Sequence, residues 1–221
     1  QISHELRTPM TSIRAFSEIL RDGEGLSAEA ASKYASIIHD EALRLTRLLD
    51  DLLDLSVLEN GQVSLNVRSG LLSELLDRAI ASARSDEDGQ ALRILRDPAA
   101  ERVWISTDLD RLAQVFINLV SNARKYCDAP VPELRIRVGQ AGGRLTVDFI
   151  DNGSGIAAEA RDVIFEKFAR VSDREAGGAG LGLAISRQIV TRLGGEISYL
   201  ADEAGAAFRI ELPLDIAMAA R

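Results

Sequence analysis

The chain has 221 residues, 46% of them hydrophobic, and carries 26 Lys and Arg against 34 Asp and Glu for a net charge of −8. That length and apolar content can build one large domain or two small ones, and the acidic balance argues against nucleic acid, whose phosphates call for a basic face. The single cysteine, Cys127, excludes a disulfide framework and a four-cysteine zinc site, and fits a reducing, cytoplasmic setting.

No apolar run approaches membrane-spanning length and no signal peptide is visible, so this segment is expected to make no membrane contact. A longer protein attached to a membrane upstream of Gln1 stays open. To Gly61 there are 6 basic and 11 acidic residues, a balance of −5 that reads as solvated helix faces.

In residues 1 to 61, apolar or small residues fall at Ile2, Leu6, Pro9, Ile13, Phe16 and Leu20, the seam of a helix packed lengthwise on another. Asp22-Gly23-Glu24-Gly25 breaks it, and Ser27 is placed to cap a second helix with a seam at Ala31, Ala35, Ile38, Ala42, Leu45, Leu49 and Leu52. Asn60-Gly61 reads as its C-terminal cap. Folding this hairpin about residues 23 to 26 sets His4 roughly opposite Leu45. Residues 46 to 58 then lack a partner, so the first helix is expected to continue upstream. Ile19, Leu43, Leu48, Leu53 and Leu55 lie off the seams, which predicts pairing with a second hairpin into a homodimeric four-helix bundle.

His4 falls at the heptad position farthest from the seam, with Glu5 beside it and Thr8 one turn on. Periodicity alone does not choose between a reactive imidazole and an idle surface one. His39 flanks the second seam without comparable neighbours and reads as structural. Pro9 should loosen the helix one turn past His4.

After Gly61 the period shifts. Strands are expected at 62–68, 92–96, 102–106, 134–138, 144–150, 196–200 and 207–212, and helices at 71–83, 108–127 and 181–193. A polar loop covers 85–90, and Trp104 reads as core. The mixture predicts an α+β two-layer sandwich over residues 62–221.

Three clusters there carry chemistry. Asn118, Asn122 and Lys125 share one face of a mostly apolar helix, where two aligned amides cost desolvation unless something occupies them. An Asn oxygen is a hard donor suited to magnesium, and Lys125 can meet phosphate; an ordinary polar face is the bland alternative. Asp151-Asn152-Gly153-Ser154-Gly155-Ile156 follows a strand, so Asp151 can accept a hydrogen bond from an amine such as adenine N6, or the stretch is a tight turn. Residues 153–158 also satisfy a dinucleotide-binding fingerprint, but no second strand brings an acid to a ribose. Gly177-Gly178-Ala179-Gly180-Leu181-Gly182 opens the last helix, where free amides and the helix dipole favour phosphate. It lacks the Lys-Ser or Lys-Thr of a P-loop. Between the glycine clusters, Phe165-Glu166-Lys167-Phe168-Ala169-Arg170 and a polar run have the make-up of a lid.

Together these stretches resemble the transmitter region of sensor histidine kinases of two-component systems, over nearly the whole chain. Ser-His-Glu-Leu-Arg-Thr-Pro at 3–9 is similar to the phosphoacceptor box, and Asn-Leu-Val-Ser-Asn-Ala-Arg-Lys-Tyr at 118–126 to the asparagine box. The 151–156, 165–168 and 178–183 stretches complete the set. The resemblance implies a dimerisation and histidine-phosphotransfer hairpin, N-terminally truncated, at 1–61. It implies a catalytic ATP-binding domain of the gyrase/chaperone/kinase type at 62–221.

It implies His4 as phosphoacceptor, Glu5 as its acid/base partner, and Thr8 as the group orienting a water when phosphate is removed from a response regulator. ATP would be held by Asn118, Asn122, Lys125, Tyr126, Asp151, Gly153, Gly155, Ile156 and Arg170, and by Gly178, Gly180, Leu181 and Gly182, with Asn122 as the Mg2+ ligand. Ala179 and Cys127 stand where the family commonly has threonine, and threonine or serine; Cys127 reads as a buried thiol. The expected activity is autophosphorylation of His4 and transfer to an aspartate of a response regulator receiver domain. The rivals are a non-catalytic dimeric ATP-binding scaffold and another ATPase of the same sandwich fold.

Overall fold

Ser27 opens the hairpin's second helix as expected: its Oγ accepts from the Ala30 amide at 3.1 Å and its carbonyl from the Ala31 amide at 3.0 Å. The computed structural model describes residues 2–23, 25–59, 64–84, 92–169, 180–201 and 203–216. Helix α1 (Ile2–Asp22) runs through Pro9, its buried residue, and packs along α2 (Ala28–Glu59). The rings of Phe16 and Tyr34 stack at 5.3 Å, which fixes the antiparallel register. His4, twelve residues before Phe16, therefore lies level with Thr46, one residue from the expected position.

The second half of α2 does have a partner within the chain, contrary to expectation. It packs on the sandwich, and Leu48, Leu55 and Leu58 are buried there. Burying a leucine stabilises by about 1.5–3 kcal/mol, so these three positions dominate the contact. Of the off-seam residues, Leu48 and Leu55 are thus covered by the same chain, while Ile19, Leu43 and Leu53 stay exposed.

The sandwich continues as β1 (Val67–Leu71), α3 (Leu72–Arg84), β2 (Arg93–Arg96), β3 (Trp104–Asp108) and α4 (Leu109–Tyr126). After these come β4 (Glu133–Ala141), β5 (Arg144–Asp151), α5 (Gly182–Arg192), β6 (Glu196–Tyr199) and β7 (Ala207–Pro213). Strands β1 and β3 form an antiparallel pair, and the main sheet has the order β2-β4-β5-β7-β6, antiparallel except for β2 on β4. The first strand sits later than residues 62–68, starting at Val67; residues 60–63, including the expected Asn60-Gly61 cap, lie outside the described residues.

Period-two alternation explains the layers. On β4 and β5, Leu134, Ile136, Leu145, Val147 and Phe149 point into the core, where Phe149 meets Phe116 of α4 at 5.3 Å. On the opposite face Asp148 accepts from Arg209 Nε at 2.7 Å and Arg137 Nη2 at 3.3 Å, its cross-strand neighbours in the register. The same alternation corrects the reading of Trp104. Ile105 and Thr107 take the inward phase of β3, so Trp104 faces out at 66% exposure. Among the described residues no helix is long and apolar enough to cross a membrane.

Candidate nucleotide and phosphoacceptor site

Asp108 begins the site by ending β3 and capping α4: its Oδ1 accepts from the Arg111 amide at 3.1 Å, and its Oδ2 from the Asn66 amide at 3.0 Å. With its start fixed, α4 buries Leu112, Val115, Phe116, Leu119 and Val120 and turns the opposite stripe toward a cavity of about 750 Å³. Asn118, Asn122, Lys125 and Tyr126 line that cavity from α4. Asp151, Gly153, Gly155 and Ile156 line it from the end of β5, and Gly180, Leu181 and Gly182 from the start of α5. Every one of the proposed nucleotide contacts that lies among the described residues is therefore in one wall or another. Arg170 and Gly178 lie outside the described residues, as does the polar run expected as a lid.

Asn118 does double duty, since its Nδ2 donates to Ser186 Oγ at 3.0 Å and so ties α4 to α5. The Phe168 amide donates to the Gly180 carbonyl at 2.9 Å. Phe165 and Phe168 are both buried, in keeping with core roles.

Asp151 is 8% exposed in the cavity wall. Its Oδ1 accepts from the Gly153 and Ala206 amides, each at 2.9 Å. Burial pushes its carboxyl above the usual range; these two amides pull it back, and Asp128 nearby pushes it up again.

Side chains and backbone that line or brace the cavity wall complete the site. Asp128 holds the loop after β5, its Oδ1 accepting from the Ser154 amide at 2.8 Å and its Oδ2 from Ser154 Oγ at 2.9 Å. Asn152 faces away and braces the loop: its Oδ1 accepts from the Glu133 amide and from Cys127 Sγ, and its Nδ2 donates to the Val131 carbonyl. Cys127 is thus half-buried and hydrogen-bonded rather than a buried thiol. Gly205 passes so close that a Cβ there would lie 2.0 Å from the Asp151 carbonyl oxygen. Tyr199 Oη accepts from the Ile156 amide at 3.1 Å, and Arg161 Nε donates to the Ile156 carbonyl at 3.0 Å.

The hairpin also reaches the cavity. Asp51 of α2 lines it, and burial beside Asp54 and Asp50 raises its carboxyl to about 6 against the pull of Lys125 and Arg47. His4 is exposed on α1, with Thr8 Oγ1 donating to its carbonyl at 3.3 Å, and Glu5 is half-buried beside it. None of these three lines the cavity. His39 is exposed on α2.

The fold is thus a histidine-bearing helical hairpin docked on a two-layer sandwich whose cavity is walled by glycines and a buried aspartate. Comparison with known proteins narrows the class. Residues 1–61 match the His Kinase A (phospho-acceptor) domain, and residues 107–216 match the Histidine kinase-, DNA gyrase B-, and HSP90-like ATPase family. The sensor protein kinase WalK of Staphylococcus aureus is 34% identical over 97% of this chain, which spans about half of that relative (52%). The histidine kinase AdeS of Acinetobacter baumannii superimposes with a TM-score of 0.76 at 27% identity, covering 96% of this chain and 98% of that one. Full-length ShkA, solved in complex with AMPPNP, gives 0.66 at 28% identity, covering 96% of this chain and 44% of ShkA. The chain belongs to the sensor histidine kinases, of which it represents the transmitter region.

Proposed function

We propose that this chain transfers the terminal phosphoryl group of ATP to His4 and passes it to an aspartate on a separate response regulator. We divide it at residue 61 into a phosphotransfer hairpin and an ATP-binding catalytic domain. The supporting observation is the shared wall: α2, the helix paired with the His4 helix, contributes Asp51 to the cavity lined by Asn118, Asn122 and Asp151. Asp51 is five residues past the level of His4, roughly 8 Å along the helix axis.

Phosphoryl transfer of this kind depends on positioning and charge neutralisation more than on covalent help. Asp151 accepts a hydrogen bond from the adenine amine, and its fixed backbone partners hold that carboxylate still. Gly153, Gly155 and Ile156 shape the adenine end with Tyr126. Asn118, Lys125 and the Gly180–Gly182 turn lie along the phosphates, continued by Gly178 and Arg170. At His4, Glu5 accepts from one ring nitrogen, which leaves the lone pair of the other to attack. The new N–P bond forms as the bond from the γ-phosphorus to the bridging oxygen breaks, and ADP leaves.

The donor set suits Mg2+ brought with the nucleotide. Among the described residues no group of three acidic, His or Cys side chains could hold an ion, and Asn122 would offer one hard oxygen to an ion that the nucleotide brings. Such an ion supplies neutralisation of the transferring phosphoryl charge. Exposed Leu43, Leu49, Leu53 and Val57 on α2, with Ile19 on α1, suit a second copy of the hairpin and a four-helix dimer.

The test is incorporation of label from γ-labelled ATP. Wild type should yield an acid-labile, alkali-stable phosphoprotein that loses label to a receiver domain, and His4→Gln and Asn122→Ala should yield none. Undiminished labelling of His4→Gln would overturn the assignment.

A further inference from the structure

The polar stripe of α4 runs Arg111, Gln114, Asn118, Asn122, Lys125, in steps of three and four beside the buried face of Leu112, Val115, Phe116, Leu119 and Val120. Helix α2 lies along it in the opposite sense. Asp54 accepts from Arg111 Nη1 at 3.3 Å and from Gln114 Nε2 at 2.9 Å, and one turn back Asp51 shares the cavity wall with Asn118, Asn122 and Lys125. The hairpin thus lays two carboxylates along the stripe, and among the described residues only Asp54 of the pair meets a cation and an amide at hydrogen-bonding distance. Around Asp51 the charged groups are Asp50, Asp54 and Arg47 from α2 and Lys125 from α4.

We propose that Asp51 is a specificity-determining residue of the cavity, making it discriminate between cation-complexed and bare nucleoside triphosphate. This rests on the reading of the cavity as a nucleotide site. An uncomplexed triphosphate brings its full negative charge against a half-buried carboxylate in a poorly screened wall, where like charges repel most. A divalent cation carried on the phosphates would remove most of that charge and, favouring hard oxygen, would not be repelled by the carboxylate. Because Asp51 belongs to α2, the selection operates from the hairpin: the helix that pairs with the phosphoacceptor helix sets which nucleotide form the sandwich accepts. A merely solvated interface carboxylate would leave the cation dependence of binding untouched.

The experiment titrates N-methylanthraniloyl-ATP into the whole chain with Mg2+ or with EDTA, for wild type, Asp51→Asn and Asp50→Asn. Asp51→Asn should bind the analogue about fivefold tighter than wild type in EDTA, from removal of one like charge at an intermediate effective dielectric. With Mg2+ the gain should vanish or reverse, so the ratio of the two dissociation constants falls. Asp50→Asn, which removes a charge outside the cavity wall, should keep the wild-type ratio. An Asp51→Asn protein with the wild-type ratio, or an Asp50→Asn protein with an equal fall, overturns the inference. Circular dichroism checks folding, and Asp51→Ser carries the same expectation if Asp51→Asn unfolds. Failure of wild type to bind the analogue at all would instead remove the nucleotide reading itself.

Discussion

Gly182 lies directly against Asn118: a Cβ on the glycine would meet the amide oxygen at 2.3 Å. The first turn of α5 can therefore approach α4 only without a side chain there, and the same approach lets Asn118 donate to Ser186. Gly182→Ala should raise local helix propensity by up to about 1 kcal/mol yet displace Asn118 from the cavity wall. The expected result is a near-wild-type melting temperature with roughly tenfold weaker nucleotide binding, the equivalent of one lost hydrogen bond. Fluorescent-nucleotide titration beside a thermal melt separates the two. Ser186→Ala, which removes the hydrogen bond without the clash, should have the smaller effect.

Asp128 governs the loop that carries Gly153 and Ser154, through both of its oxygens. Asp128→Ala should loosen that loop and, by removing a like charge, let the Asp151 carboxyl fall toward its ordinary value. Because the loop shapes the pocket rather than the reacting atoms, KM for ATP should rise about fivefold with kcat nearly kept, the signature of lost uniform binding. Steady-state autophosphorylation rates across ATP concentrations read this directly. An equal fall in kcat would show that Asp128 reaches the chemistry.

The glycine clusters, the asparagine stripe and the His-Glu pair were legible in the sequence because each is a local pattern with its own spacing. Asp128, Gly205 and Asp51 were not, since their contacts depend on which distant segment folds against them: Asp128 on a loop 26 residues on, Gly205 on Asp151. Trp104 was misread for a related reason. A four- or five-residue strand shows its composition but not its phase, and only pairing with β1 decides that Ile105 rather than Trp104 faces inward. The hairpin's unpaired half failed likewise: Leu48, Leu55 and Leu58 announce a partner, and nothing in their spacing says it is the sandwich.

The raised carboxyl of Asp51 gives a pH signature. The folded chain holds the proton to about 6, while the unfolded chain releases it near the ordinary carboxylate value of 3.8, so between these values the folded state binds more protons. This group's contribution to stability is complete below pH 4, falls as pH rises through 6 and is absent above. Asp51→Asn should therefore be the more stable protein at pH 7.5, by about 1 kcal/mol or less given solvent screening of a half-buried site, and the gap should close toward pH 4. Urea titrations of both proteins at several pH values measure it. A gap independent of pH would show that the carboxylate is already neutralised.

What holds the hairpin to the sandwich is a contest between apolar burial and a polar clamp. The clamp comprises Asp54 with Arg111 and Gln114, the ion pair of Lys167 with Glu59, and the bond from Arg192 to the Leu58 carbonyl. Partly exposed ion pairs contribute about 0–1 kcal/mol each, whereas Leu→Ala at a buried site costs about 2–5 kcal/mol. Leu58→Ala should accordingly release the second half of α2, and Asp54→Ala should only loosen it. Hydrogen exchange reads the difference: amides of residues 46–59 should lose protection in Leu58→Ala by orders of magnitude and in Asp54→Ala by less than tenfold, about 1 kcal/mol of local opening. Amides of β4 and β5, whose core lies on the far side of α4, should keep theirs in both variants. Loss of protection throughout the sandwich in Leu58→Ala would mean that hairpin and sandwich unfold as one unit, and that no separable docking step exists.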